Sequence, residues 1–165
     1  MWLFIASEAI LFGSLFSGYL VLRMGASSSW PGPIAGFPWV ETLLLLGASA
    51  AFGAKRSQLI VSNALGLTFV VIMLVGYAAV IGTGITPSTN LMWACWFTLT
   101  GVHAVHVLAG AAFTGWLAGP GFRGAGNREP GTDRERWLSH IEATRRYWLF
   151  LAAVWLAIVV SFYVV

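Results

Sequence analysis

An all-α, polytopic membrane protein with five transmembrane helices is the fold the sequence predicts, and three observations carry that expectation. Of 165 residues, 58% are hydrophobic and only 9% are charged, with a mean hydropathy of +0.80; soluble domains carry about a quarter charged residues. Apolar runs recur five times, near the length of about 20 residues that a helix needs to cross a bilayer. The cationic residues fall between these runs rather than within them. A single transmembrane domain over residues 1–165 is therefore expected.

The first run, Trp2–Leu22, lacks a basic leader, exceeds a signal-peptide core in length and contains Glu8, so it reads as a retained helix. The second, Trp39–Ala54, is the shortest, and a helix at about 38–55 requires Pro38 in its first turn and Lys55 and Arg56 reaching to the headgroups. Ile60–Ile81 and Leu91–Leu117 give the third and fourth helices. The fifth run is Tyr147–Val165, but Thr132 and Glu135 have capping-box spacing. Its helix is accordingly expected over 133–165, with several turns projecting from the membrane. Gly25–Phe37 and Gly82–Asn90 are uncharged turns rich in glycine, proline, serine and threonine. Ala118–Arg146 opens with the GPGFRGAGN run and carries most of the charge.

The nine lysines and arginines give a net charge of +3. They are too dispersed to track phosphates, which argues against nucleic acid as a partner, but they report topology. Lys55, Arg56, Arg123, Arg128, Arg134, Arg136, Arg145 and Arg146 share one side with the N-terminus, and Arg23 lies on the other. The positive-inside rule then predicts a cytoplasmic N-terminus and an outer C-terminus. Cys95 is the single cysteine, which excludes an internal disulfide or a thiolate cluster.

Chemistry at hydrocarbon depth is limited to Glu8, His103 and His106, with Glu41 near the outer edge. A carboxylate there costs several kcal/mol unless it is neutral or paired, so Glu8 is expected to be uncharged or hydrogen-bonded. At the helical rise Glu8 lies roughly 10 Å and His106 roughly 16 Å from the inner ends of their spans, so the two can meet. His103 and His106, three residues apart, share a helix face. The residues fit either a proton-handling or ligand-binding patch or a structural hydrogen bond between helices. An axial haem pair is disfavoured because His140 falls near the cytoplasmic interface. Two imidazoles and one carboxylate are also a poor metal ligand set.

Ser14/Gly18, Gly47/Ala51, Ser49/Gly53 and Ala111/Gly115 have the small-residue spacing that lets helices approach. Trp2, Trp30, Trp39, Trp116 and Trp148 read as interfacial anchors. No phosphate loop, nucleophile elbow or metalloprotease helix is present, and no catalytic residues are expected.

Four motifs in order resemble a known family. Trp2-Leu3-Phe4-Ile5-Ala6-Ser7-Glu8, continuing to Phe12-Gly13 and Tyr19, is similar to WLF-x-x-SE-x-x-LF in subunit III of haem-copper oxidases, the cytochrome c oxidase subunit III family. Glu41-Thr42-Leu43-Leu44-Leu45-Leu46 with Ser49 resembles its NT-x-x-LL-x-S-S helix, and Thr100-Gly101-Val102-His103-Ala104-Val105-His106-Val107 its TGFHGLHV signature. Tyr147-Trp148-x-Phe150 with Val154-Trp155 resembles YWHFVDVVW. The resemblance spans nearly the whole chain in the five-helix bacterial form.

The resemblance implies a non-catalytic accessory subunit without haem or copper of its own, packed on subunit I and sharing a complex with subunit II in a bacterial cytoplasmic membrane. It implies helices in a two-plus-three bundle with a V-shaped cleft holding phospholipid, and support of sustained proton uptake and turnover. Glu8 matches the family's carbodiimide-reactive glutamate, His103 and His106 its paired histidines, and Glu142 the glutamate before the last aromatic motif; these four form the expected buried polar set. Gly101, Trp148 and Trp155 are the expected lipid- or helix-packing positions. Leu149 and Ala152 replace a histidine and an aspartate of the family pattern, and Glu41 an asparagine. These departures leave open a subunit III-like partner of a nitric oxide reductase, and the residues alone also leave open an independent transporter or proton channel.

Overall fold

A computed structural model describes residues 2–26, 30–119 and 132–164, with the side chain of Trp2 and those before Glu135 in the last segment excepted. The helices are α1 (Trp2–Gly25), α2 (Trp39–Ala51), α3 (Arg56–Gly82), α4 (Leu91–Leu117) and α5 (Thr132–Val159), followed by a π-helical turn at Val160–Val164. Among the described residues there is no strand. The GPGFRGAGN run beyond Gly119, Arg123, Arg128 and the Thr132 capping contact lie outside the described residues.

Four helices are long and apolar enough to cross a membrane: Leu3–Gly25, Arg56–Gly82, Leu91–Leu117 and Glu135–Val164. The 13-residue α2 is not; at 1.5 Å per residue it reaches about 20 Å against a hydrocarbon core of about 30 Å. The expected helix over 38–55 is thus shorter at both ends. Pro38 sits outside the first turn as the N-cap residue, and Phe52 is extended. Gln58 folds back against Gly53 and accepts from the backbone N–H of Lys55 at 3.1 Å, so α3 starts earlier than expected, at Arg56, with Lys55 as its cap. Asn90 caps α4, its side chain accepting from the Trp93 N–H at 3.0 Å. Gly84 takes the positive φ that turns the chain between α3 and α4.

The segment before α2 covers the level that α2 does not reach. Ile34 N–H donates to the Phe162 carbonyl at 2.8 Å, and the Tyr19 hydroxyl donates to the Ser161 carbonyl at 2.6 Å. The π turn supplies both acceptors, as such turns do when they release backbone carbonyls from the α pattern.

α2 packs on α3, α3 on α4 and α4 on α5, in decreasing extent, and α2 returns to α5, which closes a four-helix bundle. α1 lies outside it, mainly against α4 and less against α5. The helices therefore divide four plus one, not two plus three. The reason is the narrowness of α1's inward stripe: Phe12 and Tyr19 are buried, whereas Leu3, Ile10, Val21 and Met24 are exposed.

Lipid tails are as apolar as leucine, so close packing and hydrogen bonds hold such a bundle together. Trp148 is fully buried and its ring lies against the Gly66 backbone, which corrects its assignment as an interfacial anchor. Its indole N–H donates to the Thr114 hydroxyl at 3.0 Å. The Ser49 hydroxyl donates to the Trp148 carbonyl at 3.0 Å, and the Ser62 hydroxyl to the Ala48 carbonyl at 2.8 Å. The small residues of α2 thus face its neighbours.

Candidate functional site

α1 brings Glu8 to α4, where its carboxylate lies 2.7 Å from His106 Nε2. The side chains are 14% and 17% exposed, respectively, so the contact is largely shielded. The other ring nitrogen of His106, Nδ1, lies 2.7 Å from the Val102 carbonyl one turn earlier. That oxygen can only accept, so Nδ1 carries a proton and donates it. From α5 the Tyr147 hydroxyl donates to the His106 carbonyl at 3.2 Å, and its ring packs on Phe4. Phe12 sets its ring at an angle against His106, with centroids 5.0 Å apart.

His103 behaves differently from its neighbour. It is fully buried, stacks on Trp155 at 5.6 Å and meets the Phe69 and Phe12 rings at steep angles. Neither of its ring nitrogens has a hydrogen-bond partner. The three-residue spacing places both histidines toward the protein interior, yet Glu8 reaches only His106. Trp155, which holds one face of His103, donates its indole N–H to the Thr42 hydroxyl of α2 at 3.0 Å.

Other expected site residues are placed elsewhere. Glu142 is not buried: its side chain is 55% exposed and accepts from Arg146 Nε at 3.0 Å. It falls off the Ile141, Thr144, Trp148, Leu151, Trp155 face that α5 buries. Gly101 does not mediate a tight approach, since a Cβ there would meet only the Tyr77 hydroxyl, at 3.8 Å. Much tighter against neighbouring helices are Gly66, beneath Trp148, and Gly110, where a Cβ would lie 3.1 Å from the Tyr147 ring. The seven-residue interval from Trp148 to Trp155 was the available signal, because it sets two large rings on one helix face. Glu41 is half-buried in the first turn of α2.

Two apolar grooves flank α1. One of about 280 Å³ runs between α1 and α4 past Ser14, Gly18, Leu22, Ala94, Cys95 and Thr98. The other, also about 280 Å³, is lined by Phe4, Ala109, Gly110, Phe113, Thr144 and Tyr147. Among the described residues, no three histidine, cysteine, aspartate or glutamate side chains gather as a metal site. The histidines do not fit an axial haem pair: His103 is enclosed by rings, both nitrogens of His106 are engaged, and His140 packs near Phe113 and Trp116 further along α4.

The fold and this site define a polytopic all-α membrane protein in which a peripheral helix is joined to a bundle by a shielded glutamate–histidine pair. No family model matches the sequence. Curated relatives do. The chain is 27% identical over 177 residues to a cytochrome c oxidase subunit 3 of Thermostichus vulcanus, covering 98% of this chain and 83% of that one. It is 28% identical over 185 residues to a probable quinol oxidase subunit 3 of Staphylococcus haemolyticus, covering 99% and 86%. It is also 26% identical over 186 residues to a haem-copper oxidase subunit I+III of Aeropyrum pernix, where all of this chain matches 22% of the longer protein. The chain is thus similar, nearly end to end, to subunit 3 proteins of cytochrome c and quinol oxidases.

Proposed function

We propose that this chain is the accessory subunit III of a respiratory haem-copper terminal oxidase, with no catalytic centre of its own. It packs on the haem- and copper-bearing subunit I, in a complex that also holds subunit II, and supports sustained proton uptake there. The observation that carries this reading is the near end-to-end similarity to oxidase subunit 3 proteins, together with a relative whose name joins subunits I and III. The exposed apolar side of α1 supports it, since Leu3, Ile10, Val21 and Met24 need lipid or partner helices around them. The apolar grooves beside α1 suit phospholipid chains. The membrane is the bacterial cytoplasmic membrane, with the N-terminus inside and the C-terminus outside.

A mild-detergent pull-down of the tagged chain from respiring cells, with a visible spectrum and mass spectrometry of the co-purified proteins, tests the reading. Haem-bearing oxidase subunits are expected, and their sequences distinguish a cytochrome c from a quinol donor and oxygen from nitric oxide as acceptor. A colourless, self-associated chain overturns the proposal and favours an independent transporter.

A further inference from the structure

The four-helix bundle is incomplete toward the end that carries Arg23 and the Thr83–Asn90 turn. Trp155 packs on Phe69 at 4.9 Å and on His103 at 5.6 Å, and it donates to Thr42. Phe69 is the central residue of α3 and His103 lies near the middle of α4, so this layer marks the half-way level of the long helices. α2 begins at Trp39, three residues and about 4.5 Å beyond Thr42, whereas half of a hydrocarbon core is about 15 Å. Above that point the chain is the irregular stretch 34–38. Its upper end is Ile34, which bonds the Phe162 carbonyl, seven residues and about 10 Å beyond Trp155.

We propose that the level above α2 is an aqueous vestibule, open at the Arg23 end, that carries water and small cations down to Glu41 at half-depth. The backbone of the stretch requires water. The N–H groups of Ala35, Gly36 and Phe37 have no partner among the described residues, and Ala35 and Gly36 are exposed. Irregular backbone at hydrocarbon depth persists only where protein buries it or water reaches it. Glu41 decides between the two. It continues the Leu45 and Ala48 stripe that α2 buries, so it faces the bundle interior, where a helix docked on the outside of α2 does not reach. It is nevertheless only half-buried, because α2 has no turn above it, and its carboxylate makes no hydrogen bond or ion pair among the described residues. The polar groups at this level are the Tyr163 hydroxyl, within electrostatic reach of Glu41 and held by the Trp96 indole N–H at 3.3 Å, and the Tyr77 and Thr100 hydroxyls, 2.7 Å apart. An unpaired carboxylate at such depth is tolerated in a water-filled cavity, and on the vestibule floor it favours cations over anions. The vestibule rests on contacts within this chain and stands or falls apart from the oxidase reading.

Thiol modification of the full chain tests the vestibule, in membranes opened on both sides, with its native partners present and Cys95→Ser as the background. The probes are two small methanethiosulfonates, one carrying a trimethylammonium group and one a sulfonate, and the readout is the mass of the tagged chain. The reacting thiolate forms in water and not in lipid, so Glu41→Cys is expected to react at least about tenfold faster than Leu43→Cys. Leu43 is 65% exposed and lies two residues on, on the opposite side of α2. Ala35→Cys, which keeps Glu41, is expected to react faster with the cationic reagent than with the anionic one, and adding Glu41→Gln should lower that ratio several-fold. A Glu41→Cys chain that reacts no faster than Leu43→Cys overturns the proposal. So does an Ala35→Cys charge ratio that Glu41→Gln leaves unchanged.

Discussion

At residue 66 a single methyl group has nowhere to go. Glycine there lets the α3 backbone meet the Trp148 ring, with two further ring carbons 3.1 and 3.3 Å from the position of a Cβ. Gly66→Ala is expected to cost about 1–3 kcal/mol through overpacking, seen as a lower midpoint of thermal unfolding in detergent. Gly76→Ala, with nothing within 4 Å, should leave the midpoint unchanged. The polar pair makes a second contrast. Glu8→Gln keeps a hydrogen bond to His106 and should leave assembly nearly intact. His106→Leu strands the carboxylate and should lower recovery with partner subunits about tenfold, judged from the cost of breaking a shielded pair. The meeting of Glu8 and His106 was legible in the sequence because two depth counts along regular helices converge. The isolation of His103 was not, because it depends on which rings from α1, α3 and α5 close around it.

At the scale of elements, α1, α3, α4 and α5 were legible because long apolar runs bounded by glycine, proline or charge permit little else. α2 was overextended because composition does not register where the backbone stops donating. Gln58 takes the Lys55 N–H, and that choice by one side chain ends the turn and starts α3. The arrangement of helices was not legible either. Hydrophobic runs identify what is buried in lipid or protein without separating the two, so α1 looked no different from helices that pack on three sides. What binds α2 to α5 is polar and specific: Trp155 to Thr42 and Ser49 to the Trp148 carbonyl, seven residues apart on both antiparallel helices. Thr42→Val removes the acceptor for a buried indole N–H and should cost about 1 kcal/mol, the scale of such bonds between membrane helices. Equilibrium unfolding of the purified protein would measure it, and Thr68→Val, at an exposed threonine whose hydroxyl bonds only within α3, serves as the comparison.

For the whole molecule, the two ends of the bundle differ sharply in charge. Lys55 caps α3 and Arg56 begins it beside the end of α4, where Arg56 Nε donates to the Ala118 carbonyl at 3.1 Å, and Arg136, Arg145 and Arg146 lie on α5 before its apolar stretch. At the opposite end, among the described residues, Arg23 is the one cation, and it donates to the Tyr19 hydroxyl at 3.0 Å. Its turn at Thr83–Asn90 is held by hydroxyl hydrogen bonds among Thr86, Ser88 and Thr89 rather than by charge. Cationic loops resist translocation, so the Lys55 end should remain in the cytoplasm and the Thr83–Asn90 turn should face outward. In a Cys95→Ser background, Ser88→Cys in intact cells should react with a membrane-impermeant maleimide, while Ser57→Cys should react only after the membrane is opened. The reverse pattern would invert the chain and move its cationic connections outside. It would also place the Glu8–His106 pair, which lies on the Lys55 side of Tyr19, nearer the outer surface.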